Sequence, residues 1–245
     1  MWEQILPGLR IKLFMTVVLG VAYPLFMTGI SQVIFPKQAN GSLIPAGDKV
    51  VGSELIGQNF SKPEYFHPRP SSAGSGYDAT ASGGSNLGPT SAKLVHGTTK
   101  LDDKKNEVVD FDGINLRLVH YCLENDIPYE SSAPLARFKD ANGGLDDVKL
   151  IKAFNDDKAP LIFKPLAAIP ADAVTGSASG LDPHISPASA QAQAARVAKA
   201  RGISVDQANQ LIGRFTEGAD LGLLGEPRVN VLKLNLAMDQ QFPRR

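Results

Sequence analysis

The sequence predicts an α+β protein carried on a membrane: a single N-terminal transmembrane helix, then an exported mixed α/β domain with an inserted lobe. Three observations predict it. An uncharged apolar run, LFMTVVLGVAYPLFMTGISQVIF, fills residues 13–35. Capped helical patterns and short extended pieces mix through the remainder. The stretch 101–165 differs in character from both of its flanks. The expected organisation is a short cytoplasmic N-terminus (1–12), a transmembrane helix (13–35) and an exported, periplasmic domain (36–245), within which 101–165 is the insertion.

The run at 13–35 is long enough for a span. As a helix its roughly 23 residues cover about 34 Å, against a hydrocarbon core of about 30 Å. A cleaved signal peptide has a shorter apolar stretch and a small-residue cleavage site, and no such site follows. Arg10 and Lys12 precede the run, while Lys37 stands alone after it until Lys49. Basic residues stay on the cytoplasmic side, so the N-terminus is expected inside and residues after Phe35 outside. Pro24 lies mid-span between Gly20 and Gly29. Proline frees a backbone carbonyl and glycine allows close approach of another helix, so these three positions are expected at a contact with partner helices.

Composition removes several functions. The chain carries 25 basic and 25 acidic residues, which leaves no positive excess to neutralise phosphates and argues against nucleic acid as a partner. Cys122 is the only cysteine, so neither an internal disulfide nor a CxxC or multi-cysteine zinc site can form.

In the exported part, residues 38–45 read as a turn and a short extended piece, and 50–60 as a strand with a glycine-marked bend. Residues 61–91 are rich in Gly, Ser and Pro. They form either a flexible loop or an ordered one wrapping a surface, and burial of Tyr65, Phe66 and Tyr77 would favour order. In the middle segment INLRLVHYCLEND and LDDVKLIKAF read as helices, and DDKAPLIFKP as a turn and strand. Ser186 is an N-cap and Pro187 a first helical residue for PASAQAQAARVAKAR, with Gly202 as the stop. Ser204 and Gln207 form a capping box for VDQANQLIGRFTE, ended by Gly218. RVNVLKLNLAM alternates and predicts a half-buried strand.

Two motifs invite a catalytic reading. GLDPHISP (180–187) gathers Asp182, His184 and Ser186, but its prolines and the capping serine describe a helix entrance. No HxxH or HExxH spacing supplies a zinc site, and no GxSxG elbow supplies a hydrolase nucleophile. SGGSNLGPTS (82–91), with Gly83, Gly84, Ser85 and Asn86, lacks the GxxxxGK[ST] of a phosphate-binding loop and reads as a turn-rich loop. The competing functions are a membrane-anchored exported hydrolase using Ser85 or Ser186 with His184, and an unrelated scaffold protein. The residues themselves indicate no catalytic group, metal ligand or cofactor.

Several blocks carry a resemblance. GVAYPLFMTGISQVIFPKQANGSLI, VGSELIGQNF, YFHPRPS, SGGSNLGPTS, SGLDPHISPASA, RVAKARGIS and GEPRVNVLKLNLAMD occur in this order. Together they resemble the C subunit of the Kdp-type potassium-transporting ATPase over about residues 5–100 and 166–240. The middle, roughly 101–165, departs from the usual form. The resemblance implies a non-catalytic subunit of an inner-membrane potassium uptake pump. ATP and magnesium would sit on the partner P-type ATPase subunit, potassium would pass through a partner pore subunit, and membrane lipid would surround the anchor. It also implies a role in assembly and as a catalytic chaperone that raises ATP affinity. Arg69 and the 82–90 loop are then expected to meet the pore subunit, while Asp182, His184 and Arg196 stabilise a turn or face a partner.

Overall fold

The computed structural model describes residues 2–243; Met1, Arg244 and Arg245, the outer ends of the predicted cytoplasmic and exported segments, lie outside the described residues. The chain divides into two units at Leu55/Ile56.

The first unit is built on a long helix. Trp2–Val17 (α1) runs through a π-helical turn, Val18–Ala22, into Tyr23–Ile34 (α2). Between Glu3 and Ile34 it is long and apolar enough to cross a membrane, and none of it is buried against the rest of the chain. Pro24 explains the π turn. It has no N–H, and its ring would meet the carbonyl four residues back, that of Gly20. The helix widens there instead, and the Tyr23 N–H donates to the Val18 carbonyl, five residues back. The two threonines of the apolar run are satisfied within the helix. Thr16 and Thr28 donate to the carbonyls of Lys12 and Pro24, both at 2.8 Å, so neither hydroxyl needs water. Pro36–Ala39 (α3) follows, and then an antiparallel hairpin of Leu43–Ala46 (β1) and Lys49–Ser53 (β2). Of the extended pieces expected at 38–45 and 50–60, only Leu43–Ala46 and Lys49–Ser53 are strand; the chain leaves the hairpin after Ser53. Gly47 turns it at φ +63°, a conformation that suits glycine.

The second unit holds two apolar clusters. Just ahead of the middle segment a short helix, Ala92–His96 (α4), leads into the hairpin Thr98–Leu101 (β3) and Glu107–Phe111 (β4). Asp102 closes its turn by accepting from the N–H groups of Lys104 and Asn106. Gly113–Glu124 (α5), Tyr129–Ser131 (β5), Asp147–Phe154 (α6) and Phe163–Pro165 (β6) follow, with β5 and β6 antiparallel. Both predicted helices and the predicted strand are present. Leu116, Val119, Leu150, Ile151, Phe154 and Leu161 form the cluster beneath them. Cys122 is fully buried on α5, and burial pushes its thiol pKa up.

Ala171–Val174 (α7) leads to the second cluster. His184–Ile185 (β7), Pro187–Arg201 (α8), Val205–Phe215 (α9), Thr216–Glu217 (β8), Arg228–Asn230 (β9) and Val231–Gln241 (α10) complete the chain. The three strands pair antiparallel in the order β7-β9-β8. The predicted caps hold. The Ser186 hydroxyl accepts from the Ser189 N–H, Gly202 ends α8 in the left-handed region, and Ser204 and Gln207 form the capping box. Helix α9 stops at Phe215, before Gly218, because Thr216 leaves the helix to pair with Val229.

One prediction is corrected. RVNVLKLNLAM is a strand only over Arg228–Asn230; from Val231 it is helix. The Asn230 side chain accepts from the Lys233 N–H and caps it. Val231, Leu234, Asn235 and Met238 are all buried, at the three-and-four spacing of a helix. The alternating leucines masked that spacing.

Candidate functional site

The glycine-rich loop 61–91 is ordered, and side-chain amides hold it. The backbone N–H and carbonyl of Phe66 are both taken by Asn235 of α10, at 2.9 and 3.0 Å. Those of His67 are both taken by Gln193 of α8, at 2.7 and 3.2 Å. Each amide replaces the neighbouring strand that this backbone lacks. Phe66 is fully buried. Gln193 sits on the buried stripe of α8 with Ala190, Ala194 and Val197. That polar residue at a core position was the one legible signal, and sequence reasoning passed over it.

Further along, the loop packs against 176–182, so SGGSN and SGLDP meet back to back. The Gly83 N–H and Ser82 hydroxyl both donate to the Ser179 carbonyl, at 2.9 and 3.0 Å, and the Ser71 hydroxyl donates to the Gly180 carbonyl at 2.6 Å. A side chain at Gly84 would put Cβ 2.6 Å from the Ala178 carbonyl oxygen, so glycine there serves close backbone approach. Ser85 and Asn86 are exposed beyond this contact.

Asp182 is the centre of the clasp. Its carboxylate accepts from Arg69 at 3.0 Å and from the His184 N–H at 2.9 Å. The Arg69 guanidinium also donates to the Gly176 carbonyl, and the Tyr77 hydroxyl donates to the Arg69 carbonyl at 2.9 Å. Burial pushes the Asp182 carboxyl up, but His184 and Arg69 outweigh it and hold its pKa low. Burial also raises the Tyr77 phenol far above its usual range, so it stays a neutral donor. The Ser186 hydroxyl donates to Asp172 at 2.9 Å rather than to an imidazole, so GLDPHISP is a helix entrance. Arg196 is buried on α8. It donates to the Asn125 side chain (3.0 Å), the carbonyls of Pro63 and Tyr65 (2.7 and 2.9 Å) and Gln193 (2.8 Å), and burial lowers its pKa. Arg201, which sequence reasoning did not single out, ties Glu64, Asp239 and Phe242 together in the same way. Gly20, Pro24 and Gly29 lie on the apolar helix; Gly29 borders a shallow groove with Phe26, Ile30 and Val33.

A cleft of about 430 Å³ runs between the 59–77 loop and α5, lined by His67, Arg69, Tyr77, Arg117, His120 and Glu124 among others. Its charges are paired. His67 lies 3.5 Å from Glu124, His120 2.8 Å from Asp147, and Arg117 2.7 Å from Asp112. Among the described residues no group of three or more His, Cys, Asp or Glu side chains converges as a metal-ligand set. The Asp147 hydrogen bond raises the His120 pKa despite burial, with Glu124 and Asp112 adding to the effect. The imidazolium is therefore favoured by folding. Its contribution is complete below the free-histidine pKa of about 6.5 and is lost as pH rises through the raised folded value. His120→Gln is expected to cost no more than about 1 kcal/mol near pH 5.5 and nothing near pH 9. Urea denaturation at the two pH values checks this, and an equal cost at both would refute it.

A family model described as KdpC, the K+-transporting ATPase C chain, matches residues 5–111 and 134–240. Three curated relatives are each named potassium-transporting ATPase KdpC subunit. That of Rhodospirillum rubrum is 43% identical over 243 residues, covering 99% of this chain and 98% of the relative. That of Beijerinckia indica is 42% identical, covering 99% and 96%. That of Mycobacterium tuberculosis is 42% identical over 240 residues, covering 98% and 100%. The chain belongs to the KdpC family, the C chains of the K+-transporting ATPases. These relatives align through 112–133, the stretch the family model leaves unmatched.

Proposed function

We propose that this chain is a non-catalytic accessory subunit of an ATP-driven potassium uptake pump, anchored in the inner membrane by α1 and α2. The observation that carries the reading is the apolar helix Glu3–Ile34, wholly unburied by its own chain, in a member of a potassium-pump family. Arg10 and Lys12 favour a cytoplasmic N-terminus and an exported domain. Gly20, Pro24 and Gly29 meet helices of the partner subunits. ATP and magnesium belong to the P-type catalytic subunit, and potassium to the pore subunit. On this topology a chaperone effect on ATP affinity acts through the span and the partners, as a coupling free energy between separate sites. The middle segment, 101–165, is an added lobe, a reading supported by its own apolar cluster; the family model leaves only 112–133 of it unmatched.

The test is recovery of the tagged chain from native membranes in mild detergent. Stoichiometric co-purification with a P-type ATPase and a multi-span pore protein is expected. Removal of this chain from the complex should then raise the KM for ATP. A chain recovered alone and folded, or a pump whose KM is unchanged without it, overturns the respective half of the reading.

A further inference from the structure

The apolar helix leaves part of its own backbone unpaired. An α-helical carbonyl accepts from the N–H four residues on, and a π-helical one from the N–H five residues on. For Leu19 those donors would be Tyr23 and Pro24. Tyr23 donates to Val18 instead, and Pro24 has no N–H. The Gly20 carbonyl loses its α-helical donor to the same proline. The gap lies well inside the apolar run. Leu19 is seven residues past Lys12, the nearest charge, which is about 10 Å along the axis. Water does not serve the backbone in hydrocarbon, and a polar group left without a partner there is costly.

The helix does not close the gap with its own side chains. The nearest aliphatic hydroxyls, those of Thr16 and Thr28, already donate to the carbonyls of Lys12 and Pro24. The surface is also open at this point. A Cβ added at Gly20 would meet only Thr16 Cγ2, at 3.8 Å, so a second helix can bring a side chain up to the backbone.

We infer that the Leu19 and Gly20 carbonyls accept a hydrogen bond from a Ser, Thr, Asn or Gln side chain on a membrane helix of the pore subunit. The inference rests on the pump-subunit reading and gives the contact at Gly20 and Pro24 its chemistry. The occupant must be a donor, which an acyl chain is not. Lys or Arg would bring a charge deep into the bilayer at far greater cost, whereas neutral hydroxyls and amides join membrane helices. Polar side chains at this depth collect in the chain that forms an ion pathway, and in this pump that chain is the pore subunit. Pro24 keeps the acceptor available, since an N–H at position 24 would let the helix close on itself.

The experiment places a photo-crosslinker in the full chain as Tyr23→p-benzoylphenylalanine, beside Pro24, in native membranes containing the whole complex. A product with the pore subunit is expected, its peptide identified by mass spectrometry and carrying a Ser, Thr, Asn or Gln within its span. That residue is then replaced by an apolar counterpart, Ala for Ser, Val for Thr, Leu for Asn or Gln. This change and Pro24→Ala, which returns an N–H to the helix, should each lower recovery of this chain with the pump about three- to tenfold. Combined, they should lower it no further than either alone, because both remove the same bond. Pro7→Ala is the comparison. It lies on the same helix ahead of Arg10, where water serves the freed carbonyl, and should leave recovery unchanged. Losses that multiply in the combined variant overturn the inference, since Pro24 would then act only through the direction of the helix. So do normal recovery of Pro24→Ala, an equal loss from Pro7→Ala, and a pore-subunit peptide with no such polar residue. Products with lipid alone, with a second copy of this chain or with the catalytic subunit overturn it too, as does an intact complex with no product. If the wild-type chain does not co-purify with a pump at all, the underlying reading fails instead.

Discussion

Arg196→Ala is expected to destabilise the second unit by about 3–5 kcal/mol. Arg196 is only 8% exposed, and its guanidinium joins three parts of the chain. It binds the carbonyls of Pro63 and Tyr65 in the long loop, Asn125 just past α5, and Gln193 on its own helix. Truncation leaves these acceptors in a space that water fills poorly. Gln193 also holds the backbone of His67, so the loop loses a second support. Arg196→Lys recovers part of the loss, because one ammonium cannot present the planar fork that meets separated acceptors. Urea denaturation of the full chain in detergent measures both variants. A cost below about 1 kcal/mol for the alanine variant would mean that the loop is held by Asn235 and Asp182 alone.

Gly180→Ala should cost about 3 kcal/mol, with local loss of order in the 71–84 segment. Two penalties act together. Gly180 has φ +68°, where a Cβ costs about 1–2 kcal/mol. That Cβ would also lie 2.6 Å from the Gly83 carbonyl oxygen and 2.8 Å from Ala73 Cβ. Backbone and a buried methyl cannot swing aside, so the loops must part, and overpacking of this kind costs about 1–3 kcal/mol. Hydrogen exchange at the Gly83 N–H, which donates to Ser179, reports the separation directly. Protection retained at Gly83 in a Gly180→Ala chain would refute the account.

What could be read from sequence was local. Ser186, Gly202 and the Ser204–Gln207 box obey rules that involve only a few neighbouring residues, and each does what its pattern predicts. The chain 231–241 was misread because alternating leucines fit a strand, while the deciding feature, the Asn230 cap, looked like an ordinary polar residue. The order of 61–91 is not legible locally. Its bonds reach Gln193 and Asn235, more than a hundred residues away, and no local pattern carries them. Arg69 and Asp182 were both singled out, but their pairing depends on two loops meeting through Gly83, Gly84 and Gly180. Arg201 was hidden differently, since a basic residue at a helix C-terminus already suits the helix dipole.

Cys122, buried in α5 with its thiol biased toward the protonated form, has a practical consequence. Maleimides react with accessible thiolate, so the natural chain serves as its own unlabelled background. A cysteine introduced at any exposed position should be the sole site on this chain to take up a spin label or fluorophore while it stays folded. Labelling of Cys122 would then report, without further engineering, the moment at which the packing around α5 opens.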